Sequence, residues 1–384
     1  MLSSTKHHFG KFRQRTFADA RVRRPDVIVA GAGLAGLTSA LACAGRGLAV
    51  TLVAGERPGI ASRASAGVLG PSIGRGPKGG RVGRFMFAAR DRYSSFLDEL
   101  RGLTGIHVPV ATGAIELAFN ETHLAELRAR AKALPSTTVL DAADVSRMDS
   151  ALRPVAGALL HPRDGAVDTG ILLDALEAAV AAGDRITRVN AEVESIADAA
   201  SALPNVQLAN GETITAPAVV VATGAWSGAT PGVLRPLPVR PVKGEVALAP
   251  PGVAIRQVTF GAGGYLVPRD GGVLVGATSE DAGFDASPSE TGATALREIM
   301  RSLLRDRPDP IRFTEHRAGL RPMTPDGYPI LDRDPEAPAL IYACGYSRNG
   351  VLISPLAADC VGALVAGEQP PIDLSAFSLA RFSG

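Results

Sequence analysis

The run Val27-Ile-Val-Ala30 followed by Gly31-Ala32-Gly33-Leu34-Ala35-Gly36 constrains this chain more than any other stretch. A short apolar strand leads into a glycine-rich turn. An Ala- and Leu-rich segment, 34–46, follows and stops at Gly47, and residues 48–53 form the next apolar run. This order predicts a strand–turn–helix–strand unit of a doubly wound sheet, with GxGxxG where such folds grip a dinucleotide. Gly31 permits the tight turn, and Gly33 lets the backbone approach a pyrophosphate. Gly36 lets the helix lie close to the sheet, and the helix N-terminus faces the phosphate charge. A bare helix–strand contact is the alternative, and the surrounding order of elements favours the nucleotide.

The second strand ends differently from the usual pattern. Where an acid normally binds the adenosine ribose, this chain has Ala54. Glu56 is the nearest acid and the candidate replacement, with backbone groups and water as the other option.

Three further stretches bear on which dinucleotide is bound. The loop 62–70 is built from small residues, and at Ser65, Ala66 and Gly67 backbone N–H groups can approach a flat ring closely. A flavin needs such a loop, whereas nicotinamide enzymes rarely do. The apolar run 218–222 exits through Thr223, Gly224 and Trp226, which suits a parallel strand beside a cofactor. Near the C-terminus, Tyr346, Arg348, Asn349 and Gly350 lead into an apolar helix, 351–366, that begins Val351-Leu352. The positive end of that helix would stabilise a reduced, anionic flavin.

Composition excludes several classes. The net charge of +2 and the 5% aromatic content argue against a nucleic-acid partner. Cys43, Cys344 and Cys360 share no metal-ligand spacing, so no metal site is expected and the thiols read as buried in a reducing compartment. Residues 1–25 are basic and read as a solvated tail; export through Arg23-Arg24 is the alternative. The apolar run after them is too short and glycine-broken to span a membrane. A cytoplasmic location follows from these readings.

Taken jointly, the motifs resemble the D-amino acid oxidase superfamily of FAD enzymes, and within it the glycine oxidases. The resemblance rests on GAGLAG at 31–36, ASAGVLG at 64–70, HPRDGAVD at 161–168, ATGAWS at 222–227 and PVKGE at 241–245. GYLVPRDGGVLVGAT at 264–278, AGLRPMTPDG at 318–327 and CGYSRNGVLISP at 344–355 complete the set. It implies FAD lying across the first domain, with Ala66 and Gly67 at the ring and Val193 on the adenine side. Gly350 and its neighbours would reach the pyrimidine edge. Covalently flavinylated relatives carry a cysteine near the position of Gly319, so noncovalent FAD is implied. It further implies that Arg321 binds the substrate carboxylate, that Tyr265 adds a phenolic hydrogen bond, and that Arg348 stands nearby with its backbone carbonyl toward the amine. Arginine suits the first task because its planar fork pairs bidentately with a carboxylate. His107, His161 and His316 read as structural.

The expected architecture is α/β, a Rossmann-like FAD-binding domain (26–82, 150–230 and 318–384) interleaved with an α+β substrate domain (83–149 and 231–317) on an antiparallel sheet. Met86, Ala89, Tyr93, Phe96 and Leu100 recur at helical spacing and predict a core-facing stripe. Thr169 is the candidate N-cap of a helix over 169–183. Asn210-Gly211 predicts a type I′ hairpin turn within 205–215. Further strands are expected at 237–248, 254–260, 264–268 and 272–277. The implied reaction is oxidation of glycine, a small D-amino acid or a secondary amine by hydride transfer to flavin N5. It would give imine or oxoacid and, with oxygen as acceptor, hydrogen peroxide, with a place in making the thiazole of thiamine. A related dehydrogenase of a 2-hydroxy acid or D-amino acid, using another acceptor, and a noncatalytic FAD-binding protein are the alternatives. Assembly as a homo-oligomer is left open.

Overall fold

The computed structural model describes residues 24–74, 79–134, 136–250, 255–305 and 311–382. All but the last two residues of the basic segment 1–25 lie outside this set, as does residue 254 of the expected strand 254–260.

The opening strand, Val27–Ala30, lies in the middle of a six-stranded sheet. Its order is Ile330–Arg333, Leu340–Cys344, Ala218–Val221, Val27–Ala30, Val50–Val53 and Ile186–Val189. Every pairing is parallel except that of the edge strand Ile330–Arg333. Alternate side chains of a strand face opposite ways. Val27 and Val29 enter a core with the helices Leu34–Gly45, Gly80–Thr104, Thr169–Ala182 and Gly350–Ala366. Ile28 enters the core on the other face, shared with a small sheet of Val193–Ala197, Asn205–Leu208 and Thr213–Thr215. A strand covered on both faces has no polar side to show, which is why this run is apolar throughout.

The second sheet has nine strands. Its main path runs Glu315–Met323, Arg240–Ala249, Gly272–Gly276, Gly264–Arg269, Val258–Gly261, Val110–Ala118, Gly157–Val167 and Val68–Leu69, and Thr138–Asp141 pairs with Gly157–Val167. Neighbours are antiparallel apart from the parallel pair Val258–Gly261 and Val110–Ala118. The helix Glu290–Leu303 covers one face through Ala293, Leu296, Met300 and Leu303, a helical spacing. Its N-cap, Ser289, accepts a hydrogen bond from Gly292 N, and buried Glu245 accepts from the Ser289 amide and hydroxyl.

Several local expectations are redrawn. The stripe from Met86 to Leu100 is buried, but helix Gly80–Thr104 packs on Thr169–Ala182 and Gly350–Ala366, in the core of the six-stranded sheet. Gly157–Val167 lies within the segment 150–230 yet pairs in the nine-stranded sheet. An apolar stripe shows that a helix is covered, not by what. The cap of Thr169–Ala182 is Asp168, whose carboxylate accepts from Ile171 N, while Thr169 Oγ1 donates to Ser65 O. In the 205–215 hairpin only Gly211 has positive φ, so the turn is not type I′; Gly211 N–H closes onto Leu208 O. The cysteines are free and buried, and burial pushes each thiol up to about 12.

The antiparallel edge is locked by Asp334, fully buried, which accepts from Tyr342 Oη at 2.6 Å, Glu336 N at 2.9 Å and Ala337 N at 3.1 Å. Asp334→Ala orphans all three donors and is expected to lower unfolding stability by about 3 kcal/mol. Tyr342→Phe, which removes one donor, should cost about 1 kcal/mol. Urea unfolding followed by circular dichroism measures both.

Candidate functional site

The glycine turn is closed by contact. A Cβ on Gly31, whose φ is +112°, would stand 2.3 Å from Ala222 O, and one on Gly36 would stand 1.7 Å from Gly31 O. Gly33 is different: the nearest atom to a Cβ there is Ser62 Oγ at 3.4 Å. Only that one contact would meet a Cβ at Gly33, so the space beside it is open. Helix Leu34–Gly45 starts there with no side-chain cap and no acid in its first turn. Leu34 N–H donates to Ser62 Oγ. A helix N-terminus over open space, with no acid in its first turn, has the partial positive charge and free N–H groups that suit an anion such as a pyrophosphate.

This space belongs to a cavity of about 1220 Å³ running between the two sheets. Gly31, Ala32, Gly33, Leu34, Ala35, Ser65, Ala66, Val193, Thr223, Gly224, Trp226, Tyr346, Arg348, Asn349, Gly350 and Val351 all line it, with Tyr265 and Arg321. Gly36, Gly67 and Leu352 stand behind the wall as packing. Glu56 does not line the cavity: it is exposed to solvent, whereas Glu192, packed against Gly55, and Glu194 do line it. His107, His161 and His316 also lie off the cavity. No cluster of metal-ligating side chains occurs among the described residues.

The small-residue loop is held from beneath by a residue the sequence reading passed over. Arg269 Nη2 donates to Ala66 O at 2.8 Å and Val167 O at 2.9 Å, and Thr169 Oγ1 donates to Ser65 O at 2.8 Å. With their carbonyls turned away, the loop residues keep a flat, small face toward the cavity. The signal for Arg269 was its place in GYLVPR, but its targets lie about a hundred and two hundred residues away in sequence.

Arg321 projects from Glu315–Met323, opposite Val242. Its Nη1 donates to Thr278 O at 3.0 Å and Lys243 O at 3.3 Å. No carboxylate pairs with it among the described residues. Burial lowers its pKa, Tyr265 opposes that, and Arg348 adds to it. Gly244 makes the room, since a Cβ there would stand 2.1 Å from Arg321 Nη1. Tyr265 is placed in the same way. It faces Gly276, where a Cβ would come within 2.5 Å of the phenol oxygen. Burial raises its pKa against the pull of Arg321 and Arg269, so its hydroxyl stays protonated and can donate. Arg348 sits exposed at the cavity wall. Its loop is tied to the Arg321 strand by Ser347 N–H donating to Pro322 O at 3.0 Å. A half-buried guanidinium with only carbonyl partners among the described residues is favourably placed to take up an anion.

Residues 26–364 match the DAO family, FAD dependent oxidoreductase. The chain is 33% identical to glycine oxidase of Geobacillus kaustophilus over 94% of its own length and 98% of the relative's. The crystal structure of glycine oxidase from that organism superposes with a TM-score of 0.85 at 32% identity, covering 94% of this chain and all of that one. Iminodiacetate oxidase from Chelativorans sp. BNC1 superposes at 0.81 with 27% identity, over 92% and 98%. Against the bifunctional protein ThiO/ThiG of Nostoc the identity is 30% over 93% of this chain, which spans 55% of that protein. The chain therefore belongs to the DAO family of FAD-dependent oxidoreductases and is a flavoenzyme.

Gly244→Ala is expected to displace Arg321 and raise KM for the substrate about tenfold or more while FAD remains bound. Steady-state kinetics beside the flavin absorbance of the purified variant checks this.

Proposed function

We propose that this flavoenzyme is an amino acid oxidase acting on glycine, a small D-amino acid or a secondary amine. The observation that carries the reading is half-buried Arg321, a guanidinium with no carboxylate partner among the described residues, on one cavity wall with a protonated Tyr265. Such a pair recognises a carboxylate: the guanidinium supplies charge and a fork of donors, and the phenol adds one more hydrogen bond. Because Gly244 and Gly276 fix both side chains by close approach, the substrate meets a preformed geometry. The names of the relatives support the substrate class, and ThiO/ThiG supports a place in thiamine synthesis.

Gly31, Gly33 and the first turn of helix Leu34–Gly45 would hold the pyrophosphate of FAD. Ser65 and Ala66 would border its ring, and Asn349, Gly350 and Val351 its pyrimidine edge. The chemistry supplied with FAD is a two-electron oxidation of the C–N bond by hydride transfer, with hydrogen peroxide released on reoxidation by oxygen. The protein contributes orientation: Arg321 and Tyr265 anchor one end of the substrate, so its α-carbon has a single placement. Arg348 borders the same space and takes part through its backbone carbonyl. FAD is held noncovalently, and the reaction is placed in the cytoplasm. No helix among the described residues is long and apolar enough to cross a membrane.

A second carboxylate on a secondary amine is the alternative favoured by Arg348, a second cation on the cavity wall without a described acidic partner. Anaerobic flavin bleaching and oxygen uptake with glycine, sarcosine, D-alanine, D-proline, iminodiacetate and lactate decide among these. Bleaching by an amino acid supports the proposal; bleaching by lactate alone overturns it. Arg321→Ala should lower kcat/KM about a hundredfold through KM and leave FAD bound. An unchanged KM would remove Arg321 from its assigned role.

A further inference from the structure

The second strand of the nucleotide unit lacks its acid, yet an acid stands where it is needed. Val53 pairs in register with Val189, and Ala54 N–H donates to Val189 O at 3.1 Å. Beyond Val189 the chain turns back over the end of the second strand, and Glu192 arrives against Gly55. A Cβ on Gly55 would lie 2.3 Å from Glu192 Cγ and 3.0 Å from Glu192 N, so only glycine admits this approach. The Glu192 carbonyl is held by Ala209 N–H at 2.9 Å, which fixes the turn. Arg57 Nη2 donates to Glu192 Oε2 at 2.9 Å, and Glu192 Oε1 has no hydrogen bond among the described residues. Ala54, Gly55, Arg57, Glu192 and Val193 all line the cavity.

We propose that Glu192 is the adenosine-ribose acid of this flavoenzyme, supplied from the neighbouring strand's exit in place of the residue at Ala54. A carboxylate beside the end of the second strand is what a ribose 2′-hydroxyl requires as acceptor. Here Ala54 vacates the position, Gly55 opens the approach and Arg57 orients the carboxylate with one oxygen spare. The proposal rests on the FAD-binding assignment and is independent of which amine is oxidised. The alternative is a solvent-facing ion pair with no ligand, as the half-exposed Arg57 and Glu192 side chains also allow.

The test uses apoprotein from the full chain, titrated with FAD and with FAD lacking the adenosine 2′-hydroxyl, by quenching of flavin fluorescence. Native apoprotein is expected to bind the deoxy analogue about tenfold more weakly than FAD. In Glu192→Ala the Kd for FAD rises by about the same factor and the preference between the two ligands disappears. Glu192→Gln, which keeps the volume, should lose most of that preference. Equal binding of the two ligands by native protein overturns the proposal. So does an equal loss for both in Glu192→Ala, which marks a structural role. A preference lost in Glu56→Ala but kept in Glu192→Ala assigns the ribose to the loop acid instead. Failure of the amino acid oxidase reading would leave these affinities untouched.

Discussion

The contact between the Gly31 turn and the strand Ala218–Val221 sets the position of everything that follows. Gly31 lies so close to the Ala222 carbonyl that any side chain would part them, and Gly36 packs as closely on Gly31 itself. Through this contact the central strand joins its parallel neighbour, and the helix N-terminus is aimed at the cavity. The neighbour then leads to Thr223, Gly224 and Trp226 on the same wall. The cavity is bordered by a glycine turn that cannot move without separating strands.

The substrate end depends on a related device with different chemistry. Strand Arg240–Ala249 pairs with both the strand of Arg321 and the strand ending at Gly276. Gly244 and Gly276 leave gaps in that surface, and a guanidinium and a phenol fill them. Beneath them Glu245 and Lys243 neutralise each other at 3.3 Å, both buried. Their charges thus add little to the field above, and among the described residues Arg321 and Arg348 stand on that wall without a carboxylate partner. A substrate carboxylate would complete the pattern of charges.

Local chemistry made much of this legible from sequence. The apolar strands, the glycine turn and the stripe from Met86 to Leu100 follow from periodicity and from steric needs contained in a few neighbouring residues. Arg321, Tyr265 and Arg348 reached the cavity as the motif resemblance implied. What escaped depends on distant parts of the chain. The partners of helix Gly80–Thr104 are helices far along the sequence, and periodicity carries no trace of them. Asp168 and Thr169 are both capable caps. The choice fell to Asp168 because Ser65 O engages the threonine hydroxyl. Glu56 was the nearest acid in sequence, whereas Glu192, far along the chain, packs against Gly55 at the end of the second strand. Arg269 acts on two carbonyls from a strand whose sequence gives no hint of them.

The cavity walls come from chain positions as far apart as Gly31 and Val351. A ligand touching all of them acts as a noncovalent cross-link between segments the chain itself joins only through long detours. Mass action then makes the coenzyme part of the fold's stability: at a free concentration a hundredfold above Kd, it adds about 2.7 kcal/mol. The unliganded chain and the flavoprotein are accordingly two proteins in their resistance to unfolding and proteolysis, and flavin supply in the cell sets the proportion between them.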